Sequence, residues 1–422
     1  MARESAVKAA GEGGSAASNV GSRDDMLHGE ATVTRRTVIR AIGGGLATVV
    51  VLGAGGVAIR ADRQGVFSAG EGPAYAAWAD WDGASGDSPA MAMVRAAILG
   101  ANGHNIQPWR FMLGTDRITI AVDPLRTAGA LDPLLRERDI SIGAAVENLV
   151  VAASAHGYAA TPSVSVDGAA PRVDITLAMV GGDPSDSLFD AIPNRHTDRG
   201  AFDTGRTLTT DELEALSALN DEDDLAVVWL ADDAGKAAFS DLTVAATAAI
   251  IADTEQSTDS FAWWRGDGPA IDRHKDGITI DTSGIPAWKQ AAAKILPAQS
   301  RSQFDASWLS STRDTHLPTA AAFGIVVARD LDAIPQRVAV GRLYQRLHLS
   351  AVTAGMAMQP LNQVVERRDR ERQLGLEPAV GGPLAALVGG DTWAAMMPFR
   401  IGYPRGSVAR SPRRPADQVV VA

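Results

Sequence analysis

The chain has 422 residues, which is enough for two domains or one large one. Hydrophobic residues make up 46% of it and charged residues 21%, a composition typical of a globular protein. The net charge of −11 argues against a nucleic-acid-binding surface, so no nucleic-acid partner is expected. The absence of cysteine excludes disulfides, thiolate nucleophiles and cysteine-ligated metal clusters, and the seven histidines show no metal-ligand spacing. We therefore predict no metal site.

The N-terminal segment has the pattern of a targeting sequence. Residues 1–40 are predicted to be a disordered leader with the twin arginines Arg35–Arg36, and residues 41–76 a hydrophobic signal or anchor with a linker. This pattern resembles a twin-arginine export signal, for which Ala74–Ala76 is the cleavage candidate. The alternative is an uncleaved anchor, because the apolar run Ala41–Ile59 is just long enough to span a bilayer. We expect an exported protein or one anchored at the cell envelope, touching the membrane only through this segment, with a cytoplasmic location left open.

A glycine-rich stretch inside this segment matches a nucleotide-binding pattern. Gly53–Ala58 fits the Gly-x-Gly-x-x-Ala dinucleotide fingerprint and follows the apolar run Val49–Leu52. The fingerprint needs a βαβ unit around it, but Gly65 would cut its helix short and no apolar second strand follows. We therefore favour the export signal.

A concentrated polar turn lies between a predicted helix and a predicted strand. The helix is predicted over Ser88–Leu99, and the turn follows over Ala101–Pro108. Its Asn, His and Gln side chains offer many hydrogen-bond donors and acceptors, and Gly103 lets the backbone approach a ligand closely. The following proline should push Gln107 toward an extended conformation. On polarity alone, the turn fits an ordinary, internally bonded loop better than a binding site.

Further along the chain, apolar periodicity predicts helices and strands in mixed order. The predicted strands are Arg117–Asp123, Arg172–Met179, Leu225–Leu230, Phe323–Ala328 and Phe399–Pro404, and the predicted helices are Asp139–Ala155, Asp211–Leu219 after a Thr209–Glu212 capping box, Val244–Ala252 and Val338–Ala354. Residues 254–288 carry Trp263 and Trp264, and the length of this segment favours either a functional lid or a packing arm. The charge run Glu366–Arg372 is predicted to be a solvated helix face.

Two apolar helices and the turns that follow them match at a constant offset of 198 residues. Gly143 aligns with Gly341 and Pro162 with Pro360, without a gap. Apolar helices that end in glycine are common and can match by chance, but the matching prolines argue against it. We infer two copies of one α/β unit in tandem.

The polar turn resembles the Asn-x-Gln-Pro-Trp signature of the nitroreductase family of FMN enzymes, through Asn105, Gln107, Pro108 and Trp109. Members of that family are usually homodimers with a flavin at the subunit interface. Together with the internal repeat, the chain is similar to the single-chain form of the family, the Acg-like FMN-binding oxidoreductases, over roughly residues 80–420.

This resemblance implies an α+β fold, an α/β sandwich in which two tandem nitroreductase-like units form an internal pseudo-dimer. The first unit would span residues 77–187 and the second residues 188–422, with a candidate lid at 254–288. Because an internal pseudo-dimer removes the usual reason to dimerise, a monomer is expected.

The resemblance also assigns a cofactor site. Arg195-x-Thr197-x-Arg199 resembles the family's Arg-x-Ser-x-Arg clamp for the flavin phosphate, with threonine in place of serine, and arginine offers a planar fork suited to phosphate. From the residues alone, an ordinary loop with surface arginines fits equally well. The first copy lacks such a clamp and the second lacks the Asn-x-Gln-Pro-Trp turn, so we predict one complete flavin site and one degenerate one.

The predicted FMN site draws on both copies. Its cofactor-binding residues are Asn102, Gly103, His104, Asn105, Gln107, Arg195, Thr197, Arg199, Gln359, Pro360, Leu361 and Arg400. Gln359–Leu361 resembles the turn near the flavin's reactive nitrogen, and Arg400 the basic residue near the phosphate or the pyrimidine edge. Plain turn chemistry and a surface salt bridge are the respective alternatives. No catalytic residue is predicted.

The function implied by the resemblance is that of an FMN-dependent oxidoreductase. NAD(P)H would be the donor, and a quinone- or nitroaromatic-like acceptor would be reduced through the single flavin. The alternative is a lidded FMN-binding or sequestration protein with little or no reductase turnover, in which residues 254–288 cover the cofactor.

Overall fold

The computed structural model describes residues 64–66, 68–181 and 187–421. The twin arginines and the glycine-rich fingerprint at Gly53 lie outside the described residues. The predicted cleavage site lies within the 3₁₀ helix Pro73–Trp78, where Ala74 and Tyr75 are buried in the core. Cleavage after Ala76 would remove core residues, so the packed part of the chain begins upstream of that point.

The first half of the chain builds one antiparallel sheet with two helices. Its elements are α1 (Pro89–Ala97), β1 (Trp109–Leu113), β2 (Arg117–Val122), α2 (Arg136–Ala155), β3 (Tyr158–Asp167) and β4 (Ala170–Met179). The strand order is β1-β2-β4-β3. The Ser88 hydroxyl accepts a hydrogen bond from the Met91 amide and starts α1, as an N-cap serine does. The sequence analysis missed β3, whose short, half-exposed side chains carry little apolar signal.

The second half builds a second antiparallel sheet and most of the helices. Its elements are α3 (Ser187–Ala191), α4 (Thr210–Ser217), β5 (Leu225–Leu230), α5 (Asp233–Ala252), α6 (Thr254–Ala262), β6 (Trp264–Arg265), α7 (Gly268–His274), β7 (Ile278–Thr279), α8 (Ala287–Ile295), α9 (Arg301–Ser311), β8 (Ala322–Ala328), α10 (Ile334–Thr353), β9 (Ala357–Pro360), α11 (Gln363–Leu374), α12 (Gly381–Leu387) and β10 (Ala394–Gly402). The large sheet has the order β5-β8-β10-β9, and β6 pairs with β7 alone. The mixed helix and sheet class predicted from the sequence is confirmed, as is the Thr209–Glu212 capping box.

The two four-stranded sheets have the same topology. In each order, the first two strands precede a 20-residue helix and one of the last two follows it directly. The two helices, α2 and α10, pack against each other at Gly143 and Gly341. A Cβ added at Gly143 would lie 1.9 Å from the Val338 carbonyl oxygen, and one at Gly341 would lie 2.0 Å from that of Ile140. The 198-residue repeat aligns Gly143 with Gly341 and Ile140 with Val338, so the two contacts are equivalent and the glycines permit a symmetric close approach.

The end of the chain returns to the first sheet. The amide of Phe111 donates to the Val419 carbonyl at 2.9 Å, and the Val421 amide donates to the Phe111 carbonyl at 2.8 Å. Ala416 and Val419 are buried in the core that lies under β1. The C-terminal tail is therefore part of the packing of the first half, although the predicted boundaries assign it to the second unit.

Two helices differ from what composition suggests. The charge run predicted to be a solvated face forms α11, and Glu366 and Arg368 to Glu371 on it are buried. That prediction was wrong because α11 packs between α5 and the second sheet, where its charges pair with one another and with neighbouring elements. Among the described residues, α5 is the one helix long and apolar enough to cross a membrane, but Phe239, Ala246 and Ile250 are fully buried in the fold and a core helix passes the same test.

Candidate functional site

A cavity of about 230 Å³ lies where the two halves of the chain meet. The first half contributes the turn 101–104 and the start of α2, and the second contributes the loop before α4 and the turn from β9 into α11. Residues 260–285 and α9 complete the wall. Its lining combines apolar side chains with a basic side and an acidic side.

Seven of the twelve predicted cofactor-binding residues line this cavity. They are Asn102, Gly103, His104, Thr197, Arg199, Gln359 and Pro360. The structure places the other five behind the wall. They are Asn105, Gln107, Arg195, Leu361 and Arg400. The two motifs found in the sequence therefore approach the same cavity, but only part of each reaches it.

The turn 101–107 is shaped by its own polar groups. The Gln107 amide donates to Asn102 Oδ1 at 2.8 Å, and the Gly103 amide donates to Ser141 Oγ at 3.1 Å. His104 and Gln107 have φ values of 48° and 55°. The expectation that the following proline holds Gln107 extended is thus wrong, because the hydrogen bond to Asn102 closes the turn instead.

Asn105 and Gln107 hydrogen-bond to a neighbouring loop rather than line the cavity. The Asn105 Nδ2 donates to the Gly277 carbonyl at 3.1 Å, and the Gly277 amide donates back to the Asn105 carbonyl at 3.2 Å. The Gln107 Nε2 donates to the Lys275 carbonyl at 2.8 Å, and its Oε1 accepts from the Arg414 amide at 2.8 Å. These amides connect the turn to residues 275–277 and to the C-terminal tail.

The same loop of residues 275–277 is fastened by charge. Asp276 pairs with Arg265 at 2.7 Å and also with Arg126. Both guanidinium groups lie 5.4 Å from the centre of the Trp263 ring, within the range of a cation–π contact. Trp263 thus packs against the two arginines that bind this loop, whereas Trp264 lines the cavity.

Arg195 and Arg199 do not converge on one point. Arg195 is buried away from the cavity, where it donates to the Leu99 carbonyl at 3.0 Å and approaches His348 Nδ1 at 3.5 Å. Arg199 lines the cavity and donates one hydrogen bond, to the Thr282 carbonyl at 3.2 Å. No carboxylate lies within ion-pair distance of Arg199 in the described part of the chain, and burial lowers its pKa to about 10. At neutral pH it is a half-buried cation without a carboxylate partner among the described residues.

Arg400 supports the cavity from behind. Its guanidinium donates to Gln359 Oε1 at 2.6 Å, to the His316 carbonyl at 3.0 Å and to the Gly200 carbonyl at 2.6 Å. It lies 3.9 Å from the centre of the Phe202 ring. Burial lowers its pKa to about 9, so it stays charged at neutral pH. Its position fixes the backbone beside Arg199 and the side chain of Gln359. Leu361, which directly follows β9, is part of the hydrophobic core.

Two glutamates that the sequence analysis did not select form the acidic side. Glu137 lies at the start of α2 and Glu366 on α11, and both line the cavity although they are only 5% and 3% exposed. One ligand atom from each and one from the His104 ring lie within 4.8 Å of one another, a set that can in principle hold a metal ion. Burial raises the pKa of both carboxyl groups, although Arg136 opposes this. A signal was present in the sequence, since Glu137 stands in the charged run 136–139 ahead of the apolar part of α2, and α11 has few apolar residues to bury.

The histidines at the cavity are neutral bases. Burial, assisted by the charge of Arg199, lowers the pKa of His104 to about 4. Burial lowers the pKa of His316 well below its usual range, with Arg400 adding to the effect. The Nε2 atom of His316 is buried without a hydrogen-bond partner. Both rings therefore offer neutral hydrogen-bonding groups to a ligand at physiological pH.

No protein-family model matches the sequence, and no curated protein matches it. Solved structures of nitroreductases do match. A nitroreductase with bound FMN from Bacteroides fragilis is 12% identical, with 56% of this chain and 100% of that chain covered and a TM-score of 0.33. The FMN-dependent nitroreductase NfnB from Mycobacterium smegmatis, in complex with NADPH, is 15% identical over 57% of this chain and 99% of its own, with a TM-score of 0.34. The FMN and NADPH-dependent NfnB from a Sphigopyxis species is 16% identical over 56% and 98%, with a TM-score of 0.36.

Proposed function

We propose that this chain is an FMN-binding oxidoreductase of the nitroreductase type, with one flavin in the cavity between its halves. The observation that carries the proposal is Arg199, a half-buried cation that lines the cavity and lacks a carboxylate partner among the described residues. A partly buried charge without a partner is costly, so the site is built for an anion. The phosphate of FMN is such an anion.

The rest of the lining fits the same ligand. The Thr197 hydroxyl lies near Arg199 in sequence and lines the cavity with it, which suits phosphate oxygens. Ile140, Ala144 and Ile278 offer an apolar surface to a flat ring. Gly103 lets the turn pack closely against the start of α2, since a Cβ there would lie 2.6 Å from Glu137 Oε2. Asn102 and Gln359 add amide groups to the lining, and each is oriented by a hydrogen bond within the chain, from the Gln107 amide and from Arg400 respectively.

Bound FMN would supply hydride chemistry, and the chain supplies binding, orientation and exclusion of water. NAD(P)H is the proposed donor, and quinone- or nitroaromatic-like compounds are the proposed acceptors. Arg400 acts indirectly, by holding Gln359 and the backbone on either side of Arg199. The neutral rings of His104 and His316 leave Arg199 as the cation that selects the anionic end of the ligand.

We also propose that the chain is two fused nitroreductase-like units and works as a monomer with one complete site. The identical strand orders and the symmetric contact at Gly143 and Gly341 support this proposal. The site takes the polar turn from the first copy and Arg199 from the second. Light scattering on the full-length chain tests the monomer, and a dimer mass would refute it.

A second candidate function rests on residues 254–288. Six residues of this segment line the cavity: Ser260, Trp264, Ile278, Ile280, Ser283 and Ile285. Their position supports the interpretation of the segment as a lid, which we call the cover. Asn105, Gln107 and the ion pairs of Asp276 fasten the cover. A chain with this cover permanently closed would hold FMN without fast turnover, as a sequestration protein.

One experiment separates these functions. The full-length chain is loaded with FMN, and its absorbance spectrum is followed under anaerobic conditions after NADPH and then dithionite. Bleaching by NADPH, reversed by a quinone, supports the reductase. Bleaching by dithionite alone supports sequestration. A chain that retains no FMN after gel filtration refutes both.

The cellular location is also a proposal. We propose that the N-terminal segment exports the chain by the twin-arginine route or anchors it at the envelope. Because Ala74 and Tyr75 are core residues, we expect no mature N-terminus at Ala77. Mass spectrometry of the N-terminal peptide from membrane, periplasmic and cytoplasmic fractions tests this, and a species that starts at Ala77 would contradict it.

A further inference from the structure

The acidic side of the cavity is made by the carboxyl pair, Glu137 and Glu366. The two side chains come from opposite halves of the chain, and both are at least nine-tenths buried. Their oxygens and the His104 ring lie within 4.8 Å of one another. Glu366 Oε2 and Glu137 Oε1 have no hydrogen-bond donor as partner in the described residues. Two buried carboxyl groups at this distance, with no donor between them, repel each other when both are ionised. We therefore expect one of them to hold a proton.

The surrounding charges do not supply enough compensation for two carboxylates. Asp132 and Asp369 are also buried beside the pair, which makes four carboxyl groups. The nearby cations are Arg136 and Arg368, and each is committed to Asp369 at 2.7 Å.

Arg136 approaches Glu137 Oε1 only at 3.5 Å, a separation too long for a hydrogen bond. Asp132 accepts hydrogen bonds from the backbone amides of Glu137 and Arg138, at 3.0 and 2.9 Å, which hold its carboxyl group beside the pair. Burial raises the pKa of Glu366 well above its usual range, and the charge of Glu137 raises it further. Like charges in a dry site do not both ionise.

A proton fits the site better than a metal ion. A divalent cation would lie beside the guanidinium group of Arg136, and the charge of Arg199 already lowers the pKa of His104. The repulsion between these like charges is poorly screened in a buried site. A single proton shared by the pair removes one negative charge and adds none.

We propose that Glu137 and Glu366 share one proton and donate it to the acceptor that is reduced in this cavity. This inference rests on the proposed function. When a quinone is the acceptor, a hydride from the reduced flavin brings two electrons and one hydrogen to it. The carboxyl O–H bond of the pair breaks, and an O–H bond forms on the acceptor, which leaves as the hydroquinone. The pair regains its proton from water when the site reopens.

The pair is tested first without turnover. Infrared spectra of the full-length chain are compared with those of E137Q and E366Q across pH 5 to 9, on the C=O stretch of protonated carboxyl groups. Wild type should keep one such band at neutral pH, and each variant should lose it. The matched control is E371Q, on the same helix and equally buried but outside the cavity, which should keep the band.

The second readout is rapid kinetics of the two half-reactions. In E137Q and E366Q the oxidation of the reduced flavin by a quinone should slow on the order of 100-fold, the usual loss when a positioned acid is removed. Reduction by NADPH and the affinity for FMN should stay close to those of E371Q.

Three results would overturn the proposal. They are the absence of the protonated band in wild type, a quinone half-reaction that the glutamine variants leave unchanged, and tight binding of Mn²⁺ or Zn²⁺ that both variants abolish. A wild-type chain that shows the band but retains no FMN would refute the proposed function and leave the shared proton standing.

Discussion

The two charged sides of the cavity are unbalanced in opposite ways. On the basic side, the half-buried Arg199 has one carbonyl partner and no carboxylate within ion-pair distance in the described residues. On the acidic side, the buried Glu137 and Glu366 face each other with too few cations. Arg400, just behind, is more deeply buried than Arg199 but is fully hydrogen-bonded. From this difference we infer that a charged side chain inside the fold indicates a ligand site when it lacks partners within the chain. It indicates a structural role when those partners are present.

The largest expected effect comes from Arg400. We expect R400M to lower the free energy of unfolding by about 3–5 kcal/mol, because several buried oxygens lose their donor. Chemical denaturation measures the loss. The control is R405M, whose side chain is largely exposed and lies 3.9 Å from its partner Asp203, and which should change stability by less than about 0.5 kcal/mol. Equal stability of the two variants would contradict a supporting role for Arg400.

Replacing Arg199 should affect FMN binding rather than the stability of the fold, in contrast to Arg400. We expect R199M to weaken FMN binding about 10–100-fold, since it removes a charge-assisted contact. The same change should leave the FMN-free chain no less stable, because it removes a half-buried cation without a carboxylate partner among the described residues. Flavin fluorescence titration and thermal unfolding measure the two quantities, with R199K as the variant that keeps the charge. An R199M chain that binds FMN normally would break the comparison.

The role of residues 254–288, either as a cover over the cavity or as a packing arm, is tested at Gly277. Its φ is +77°, and an added Cβ would lie 2.4 Å from the Trp263 carbonyl oxygen. We expect G277A to loosen residues 254–288 at a local cost of more than about 1 kcal/mol, with faster hydrogen exchange there. Quinones should then oxidise the reduced flavin faster.

The control for this glycine change is G382A, where an added Cβ meets nothing within 4 Å. If G277A unfolds the whole chain at lower denaturant without a selective change in exchange at 254–288, the segment is a packing arm and not a cover.

The smallest expected effect is on the pH dependence of the free energy of unfolding, to which Glu137 and His104 contribute with opposite signs. The pKa of Glu137 is about 7 in the fold, against about 4.3 for an exposed glutamate. Its contribution to stability is therefore present below pH 4.3 and is lost as the pH rises through about 7. The pKa of His104 is about 4 against about 6.5, so its contribution has the opposite sign and is lost as the pH falls through about 4.

The measurement compares wild type with E137Q from pH 4 to 8 by denaturation. The fall with rising pH should be weaker in E137Q by on the order of 1 kcal/mol, and unchanged in E371Q. Parallel curves for wild type and E137Q would mean that Glu137 ionises normally.

Much of the fold follows from local sequence patterns. Residues such as Leu225–Leu230 and Phe323–Ala328 are strands because β-branched and aromatic side chains suit a buried sheet. The 198-residue repeat identified the helices that meet at Gly143 and Gly341 before their packing was known. The charge run on α11 was assigned to solvent because its partners, Arg136 and Asp253, lie more than one hundred residues away.

The site was predictable only in part, for the same reason. A sequence motif consists of neighbouring residues, but the folded backbone directs their side chains to different parts of the structure. Arg199 reaches the cavity while Arg195 faces Leu99 and His348, and His104 reaches it while Asn105 binds the cover. Glu137 and Glu366 are 229 positions apart in the sequence and meet only when α2 and α11 pack together.

The most direct test of the account is the stoichiometry of FMN on the full-length chain. Flavin is titrated into a known concentration of FMN-free protein, and its fluorescence is followed to the equivalence point. We predict a single break at one FMN per chain, since one cavity in the described part of the chain combines the turn at Asn102 with Arg199. A break at two FMN per chain, or a linear signal with no break, would contradict it.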